Sequence, residues 1–244
     1  MRRIIIKASD VAAVIGQNKF KSRDEVFNEL WKKHSPENFN LKTKSDEANE
    51  ALAKSYDAQK IVSLATAHKA KNSTDAEQTF RRASVLIAAD QTLSAEDKAK
   101  VTEHLRSKVY TSHGTRTEDR TAVETGLTLV KDTNFYNYEI CIIGDNQYVV
   151  TGKIDRIEEH PDGSKTLVEI KNRTKGLFRR VYPSEMIQIQ TYLHMLDLEN
   201  AKLIEQFNSE INTMKVERDR DMWNNEIAPS LEVFCNDLDR VFLL

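Results

Sequence analysis

Between Pro36 and Gly114 the chain runs for 77 residues without a glycine or a proline. Those two residues are the strongest punctuation in a sequence: glycine opens left-handed backbone, and proline removes an amide donor. A stretch that lacks both and is rich in Ala, Glu, Lys, Gln and Leu has few choices besides helix. Asn72-Ser73-Thr74-Asp75 reads as a loop ending in an N-cap, and Ser94-Ala95-Glu96-Asp97 as another helix start. Val101, Leu105 and Val109, spaced by four, share a helical face and should meet a core. The pattern predicts about three helices over 37–112, with no internal repeat and no low-complexity linker.

On either side the texture changes. Ser9 reads as the N-cap of a short helix from Asp10 to Ile15 ended by Gly16, and a second helix spans about 22–33. Thr115 to Thr125 reads as a helix stopped by Gly126. Runs rich in β-branched and aromatic residues at 135–143, 147–157 and 166–171 predict strands. A helix at about 184–196, strands at 202–208 and 211–217 and a final helix at about 220–236 complete the pattern. Mixed helices and strands predict an α/β fold with a central mixed β-sheet flanked by helices. The expected organisation is a single domain, 1–244, with 37–112 as an all-helical insertion.

Composition excludes more than it assigns. With 36 Lys and Arg against 38 Asp and Glu the net charge is −2, which rules out a generally basic nucleic-acid binder but not a local basic groove. No apolar run approaches the roughly 18–20 residues of a membrane span. The run Ile4-Ile5-Ile6 is too short for a signal-peptide core, so the expectation is an intracellular protein, in the cytoplasm or nucleus, without membrane contact. Two cysteines, Cys141 and Cys235, cannot build a disulfide scaffold, a four-Cys zinc site or an iron–sulfur cluster. The six histidines show no ligand spacing, which speaks against zinc, and no G-x4-G-K-[ST] run is present, which speaks against ATP use.

The most informative segment is Gly152-Lys153-Ile154-Asp155 followed by Val168-Glu169-Ile170-Lys171. Pro161-Asp162-Gly163 between them is a turn signal, proline presetting φ and glycine taking the left-handed position of a three-residue hairpin loop. With that loop His160 pairs with Ser164, and the same register sets Asp155 across from Glu169 on one face. A two-residue loop would put them on opposite faces. Lys171, two residues beyond Glu169, shares the face, while Val168 and Ile170 point into the core. Two carboxylates and an ammonium on one patch of sheet repel unless a divalent cation with oxygen ligands joins them. A lysine beside such an ion can hold a water or stabilise charge on a phosphate. The plainer reading is a surface salt bridge.

These residues resemble the PD-(D/E)XK nuclease superfamily, in its phage lambda-type and viral recombination-exonuclease (YqaJ-like) branch. Asp155 with Glu169-Ile170-Lys171 matches the superfamily motif, with Ile154 where proline is usual. His113-Gly114-Thr115-Arg116-Thr117-Glu118 resembles the branch's G-x3-E motif, Gln188-Ile189-Gln190-Thr191-Tyr192 its Q-x-Q-Y motif, and Lys7-Ala8-Ser9-Asp10-Val11 its T-A-S-E/D opening. The resemblance covers about 1–33 and 113–240; the helical insertion and the missing segment ahead of Arg2 are departures. It implies a restriction-endonuclease-like core and a deoxyribonuclease that degrades one strand of linear duplex DNA from a 5′-phosphorylated end, 5′→3′, in DNA recombination of viral or phage type. It implies one or two Mg²⁺ ions, with Mn²⁺ able to substitute, held by Asp155, Glu169, Glu118 and the Ile170 carbonyl. Lys171 would act as base or as cation, Gln188 would reach a metal-bound water, and Arg2 with Ser9 would grip the 5′-phosphate. Relatives form ring-shaped homo-oligomers and work with a single-strand annealing protein; no pattern in this chain speaks to either.

The residues add detail to that picture. Glu118, in the first turn of its expected helix, would be favoured by the helix dipole. Gln188 and Tyr192, four apart, share a helix face, and Tyr192 is expected to reach a base. Lys171, Arg173, Lys175, Arg179 and Arg180 put five bases in ten residues without an acid, interleaved with Phe178 and Tyr182. That run suits a DNA-backbone loop with stacking, or simply a solvated charge run. The insertion is expected to border the DNA entrance. Two other functions fit the same residues: a structure-selective or single-strand endonuclease, which a closed circular substrate would reveal, and a non-catalytic DNA-binding or assembly protein on a nuclease fold.

Overall fold

The computed structural model describes residues 1–243. The chain begins with β1 (Arg2–Lys7), a 3₁₀ turn (Ala8–Asp10), α1 (Val11–Val14) and α2 (Arg23–His34). Four helices follow: α3 (Lys44–Ala53), α4 (Tyr56–Ala67), α5 (Ser73–Ala89) and α6 (Ala95–Glu124). Then come β2 (Leu129–Lys131), β3 (Tyr136–Ile143), β4 (Asn146–Gly152), β5 (Arg156–Glu159), β6 (Lys165–Asn172) and α7 (Pro183–Leu196). The end is β7 (Asn200–Phe207), β8 (Glu210–Glu217), α8 (Arg220–Met222), a π turn (Trp223–Ile227) and α9 (Ala228–Phe242).

The fold is mixed α/β, as expected, but the single central sheet is two. One has the order β1-β4-β3, the other β2-β5-β6-β7-β8. Each is mixed: β1 runs parallel to β4 and β6 parallel to β7, and the remaining pairs are antiparallel. The run expected as one strand over 147–157 breaks at residues 153–155, where the chain leaves the first sheet as β4 and enters the second as β5. Ile4, Ile6, Tyr148, Val150, Leu167, Ile189, Leu193, Leu203 and Phe234 form the main core between the sheets, α1, α7 and α9. Each fully buried side chain of this size contributes roughly 1.5–3 kcal/mol. On the other face of β6 and β7, Val168, Ile170 and Ile204 pack against Ala122 of α6.

Several boundaries differ from expectation. The insertion holds four helices because Ser55 caps α4 directly after α3, its hydroxyl accepting the Ala58 amide at 3.0 Å, with no breaker between. Gly114 does not interrupt α6, a single 30-residue helix of about 45 Å; its carbonyl accepts the Asn172 amide at 3.1 Å. Ser9 lies inside the 3₁₀ turn, and Asp10, ahead of α1, makes no capping bond. Strands β1 and β2 were not expected; three consecutive isoleucines carry no alternation, and β1 is fixed by pairing with β4. The last helix carries a π turn and runs on to Phe242. The helical segment has its own core, with Ala58, Phe80, Ile87, Val101, Leu105 and Val109 buried together. Among the described residues no helix is long and apolar enough to cross a membrane.

Candidate active site

The β5–β6 hairpin has the register that its loop chemistry dictates. Gly163 sits at φ +82°, the His160 amide donates to the Ser164 carbonyl at 2.9 Å, and Arg156 pairs with Val168. Asp155 is one residue beyond that ladder. Its carboxylate accepts the Ile170 amide at 2.7 Å, taking the place of the missing strand partner, so it lies beside Glu169. Glu169 is 3% exposed. Its Oε1 accepts from Lys171 Nζ at 2.7 Å, and the same ammonium donates to Gln188 Oε1 on α7 at 3.2 Å.

Glu118 reaches the group from α6. It stands six residues before the end of that helix, not in a first turn, so the dipole does not favour its charge. Burial, and then repulsion from Glu169, raise its pKa. Asp155 is pushed well above the carboxylate range by burial, then by Glu169, with Glu118 adding to it and the Ile170 amide opposing. Burial alone would lower the Lys171 pKa; the adjacent Glu169 and nearby Asp155 and Glu185 outweigh it and raise it, so the side chain is an ammonium. With all three acids ionised the site would carry more negative charge than Lys171 offsets, which is why two of them resist ionisation.

Several residues hold this arrangement that motif spacing does not reveal. Arg156, almost fully buried, donates to the Asp155 carbonyl at 2.6 Å and pairs with Asp119 of α6. It ties the helix carrying Glu118 to the strand carrying Asp155. The available signal is that Arg156 directly follows Asp155 and that Asp119, its partner, directly follows Glu118. Gly152 is a second such residue: a Cβ there would lie 2.4 Å from Tyr192 Cε1.

Other residues are placed differently from expectation. Tyr192, expected at DNA, is 3% exposed and donates its hydroxyl to the Lys153 carbonyl at 2.9 Å. It braces the corner where the chain changes sheets. Arg173 is buried between Glu205 at 3.0 Å and Glu185 at 2.5 Å, and stacks over Phe178. Its charge is consumed inside the protein. Glu205, fully buried, also accepts the amides of Phe178 and Arg179, at 3.1 and 2.5 Å. That fastens the loop from beneath and leaves Lys175, Arg179 and Arg180 facing solvent. Arg2 and Ser9 are not brought together. Arg2 donates to Asn146 and to the His34 carbonyl, both at 2.8 Å, and covers the Phe242 ring. Ser9 is exposed beyond the other end of β1, about 20 Å away along an extended strand.

A divalent cation fits the donor set by its chemistry. Among the described residues no three His, Cys, Asp or Glu side chains are already gathered as a metal-holding group. One oxygen of Glu169 is turned to Lys171 and one of Asp155 to Ile170. The second oxygen of each, and both of Glu118, have no hydrogen-bond donor among the described residues. Buried and half-buried, mutually repelling carboxylates with unused lone pairs suit a hard cation.

No protein-family model and no curated protein matches the chain. Among solved structures it is similar to a phage related exonuclease from Haemophilus somnus, at 13% identity over 96% of this chain and 95% of that one, with a TM-score of 0.43. It is also similar to an alkaline exonuclease from Laribacter hongkongensis, at 14% identity over 81% and 94%, with a TM-score of 0.39.

Proposed function

We propose that the protein is a divalent-metal-dependent deoxyribonuclease that hydrolyses phosphodiester bonds at the Asp155–Glu169–Lys171 cleft. The observation that carries this reading is Glu169 bonded to the ammonium of Lys171, itself fixed by Gln188, with Asp155 held beside Glu169 by the Ile170 amide and Glu118 near enough to be repelled by Glu169. Asp155, Glu169 and Glu118 would hold Mg²⁺, with the Ile170 carbonyl as a further oxygen. When bound there, a divalent cation supplies Lewis acidity toward a phosphodiester oxygen.

The chain's own residues set the rest. Lys171, steadied by Glu169 and Gln188, would act as a cation toward the phosphate. Arg156 and Tyr192 hold the two ends of the 152–156 segment so that Asp155 does not drift. Lys175, Arg179 and Arg180 offer backbone contacts beside the cleft. An exonuclease acting 5′→3′ on linear duplex is the form the sequence resemblance implies. The Arg2–Ser9 pocket that would select a 5′-phosphate is not formed, so polarity rests on that resemblance alone.

The test is incubation of the protein with linear and closed circular duplex in Mg²⁺. Loss of linear duplex with the circle intact supports an exonuclease, and cutting of the circle supports the endonuclease. Full activity in excess chelator, or undiminished activity of Asp155→Ala, would overturn the site.

A further inference from the structure

On the flank of α6 away from the acidic cleft lies a cavity of about 480 Å³ lined by Lys69, Ala70, Lys71, Arg116, Thr117 and Arg120. Four cations and no carboxylate line it, in a chain whose net charge is −2. The two guanidiniums are fixed: Arg116 donates one Nη1 bond to the His68 carbonyl and Arg120 one to the Lys71 carbonyl, each at 2.8 Å. Both bonds go to the loop between α4 and α5, and each leaves other guanidinium N–H groups free. Glu124 approaches Arg120 at 3.6 Å, beyond hydrogen-bond distance. Lys69 and Lys71 form no ion pair among the described residues. Four cations around one opening favour an anion there, and planar forks beside point charges match phosphate oxygens.

Position narrows the ligand. Arg116 and Arg120 are each two residues from Glu118, about 200° around the helix, so α6 stands between pocket and cleft. A helix with its side chains is roughly 10–12 Å across, or about three to four steps along a duplex at 3.4 Å per nucleotide. We propose that this pocket grips the DNA backbone three to four nucleotides from the bond cut in the cleft, a proposal that rests on the nuclease reading for where the cut lies. It gives the helical insertion, which contributes Lys69 and Lys71, a direct part in holding substrate.

The experiment is fluorescence anisotropy of a duplex of about 20 base pairs with 5′-hydroxyl ends, in EDTA so that nothing is cut, between about 50 and 200 mM salt. Lys69→Ala/Lys71→Ala should make the slope of log K against log[salt] shallower by about one to two and weaken binding roughly tenfold at low salt. A Lys33→Ala/Lys215→Ala control removes two exposed lysines that do not line the pocket and should keep the parent slope. An unchanged slope, an equal loss in the control, or no DNA binding by the parent would overturn the proposal. A parent that binds through the pocket but cuts no DNA in Mg²⁺ removes the nuclease reading and leaves the pocket. A parent that cuts while the pocket variant binds normally does the reverse.

Discussion

Asp155 and Glu118 carry carboxyl groups that the fold makes costly to ionise, and such a cost is tolerated where a cation offsets it. Asp155→Ala or Glu169→Ala should therefore abolish Mg²⁺-dependent cleavage while leaving DNA binding intact or tighter, since a charge that repels phosphate is removed. Lys171→Ala should lose on the order of 10² in rate, the scale of one electrostatic stabiliser. Near-parent turnover by any of the three would remove that residue from the mechanism. Stability should respond in the opposite sense. Both acids have raised pKa values in the fold, so between the ordinary carboxylate range and the raised one the folded state binds more protons than the unfolded. The stability of the metal-free protein then falls as pH rises through that window. Glu118→Gln lifts part of the repulsion and should raise the metal-free Tm at pH 7 by about 2–4 °C, the equivalent of roughly 1 kcal/mol in a chain of this size. Below about pH 4, where Glu118 is protonated anyway, the gain should vanish. Scanning calorimetry in EDTA at both pH values decides it, and a Tm lowered at pH 7 would mean that Glu118 is not repelled.

Two glycines make opposite predictions at the level of elements. At Gly152 any Cβ meets Tyr192 and, at 2.8 Å, Ala8, both in the main core. Gly152→Ala should destabilise by about 1–3 kcal/mol and slow cleavage, because the Tyr192 ring cannot move without shifting the corner before Asp155. At Gly114, inside α6, nothing lies within 4 Å of the point where a methyl would stand, and Ala should stabilise by about 0.5–1 kcal/mol. Thermal melts of the two single variants, alongside the parent, test both signs. These glycines also show what the sequence could say. The hairpin was legible because Pro161 and Gly163 fix loop length, loop length fixes parity, and parity puts Asp155 beside Glu169. The height of Glu118 on its helix was not legible: a single glycine costs only about 1 kcal/mol in a helix, and the turns on either side outweigh it. Nor was the fate of the basic run, since Arg173 is consumed by Glu185 and Glu205, and nothing local to residues 171–180 announces the second of these.

At the scale of the whole molecule, α6 joins two cores. Its first half buries Val101, Leu105 and Val109 among α3–α5, and its second half carries Ala122 onto the β6–β7 face and Glu118 to the cleft. Elsewhere the helical segment meets the rest partly through ion pairs such as Lys32–Asp46 and Lys44–Glu25, whose lysines are exposed. Exposed pairs of this kind contribute about 0–1 kcal/mol each. Mechanical continuity of α6 is therefore what couples the cores, and an interruption between Val109 and Glu118 should uncouple them. Gly114→Pro removes an amide and clashes with the preceding turn, at a cost of about 3 kcal/mol or more. The parent should unfold in one thermal transition, with the calorimetric and van't Hoff enthalpies equal. Gly114→Pro should unfold in two, the segment around α3–α5 separating from the sheets, and should lose cleavage because Glu118 no longer holds its height against Glu169. A single transition shifted to lower temperature would show that the surface contacts alone suffice to couple the cores. Full cleavage by the variant would show that Glu118 does not depend on the helix that delivers it.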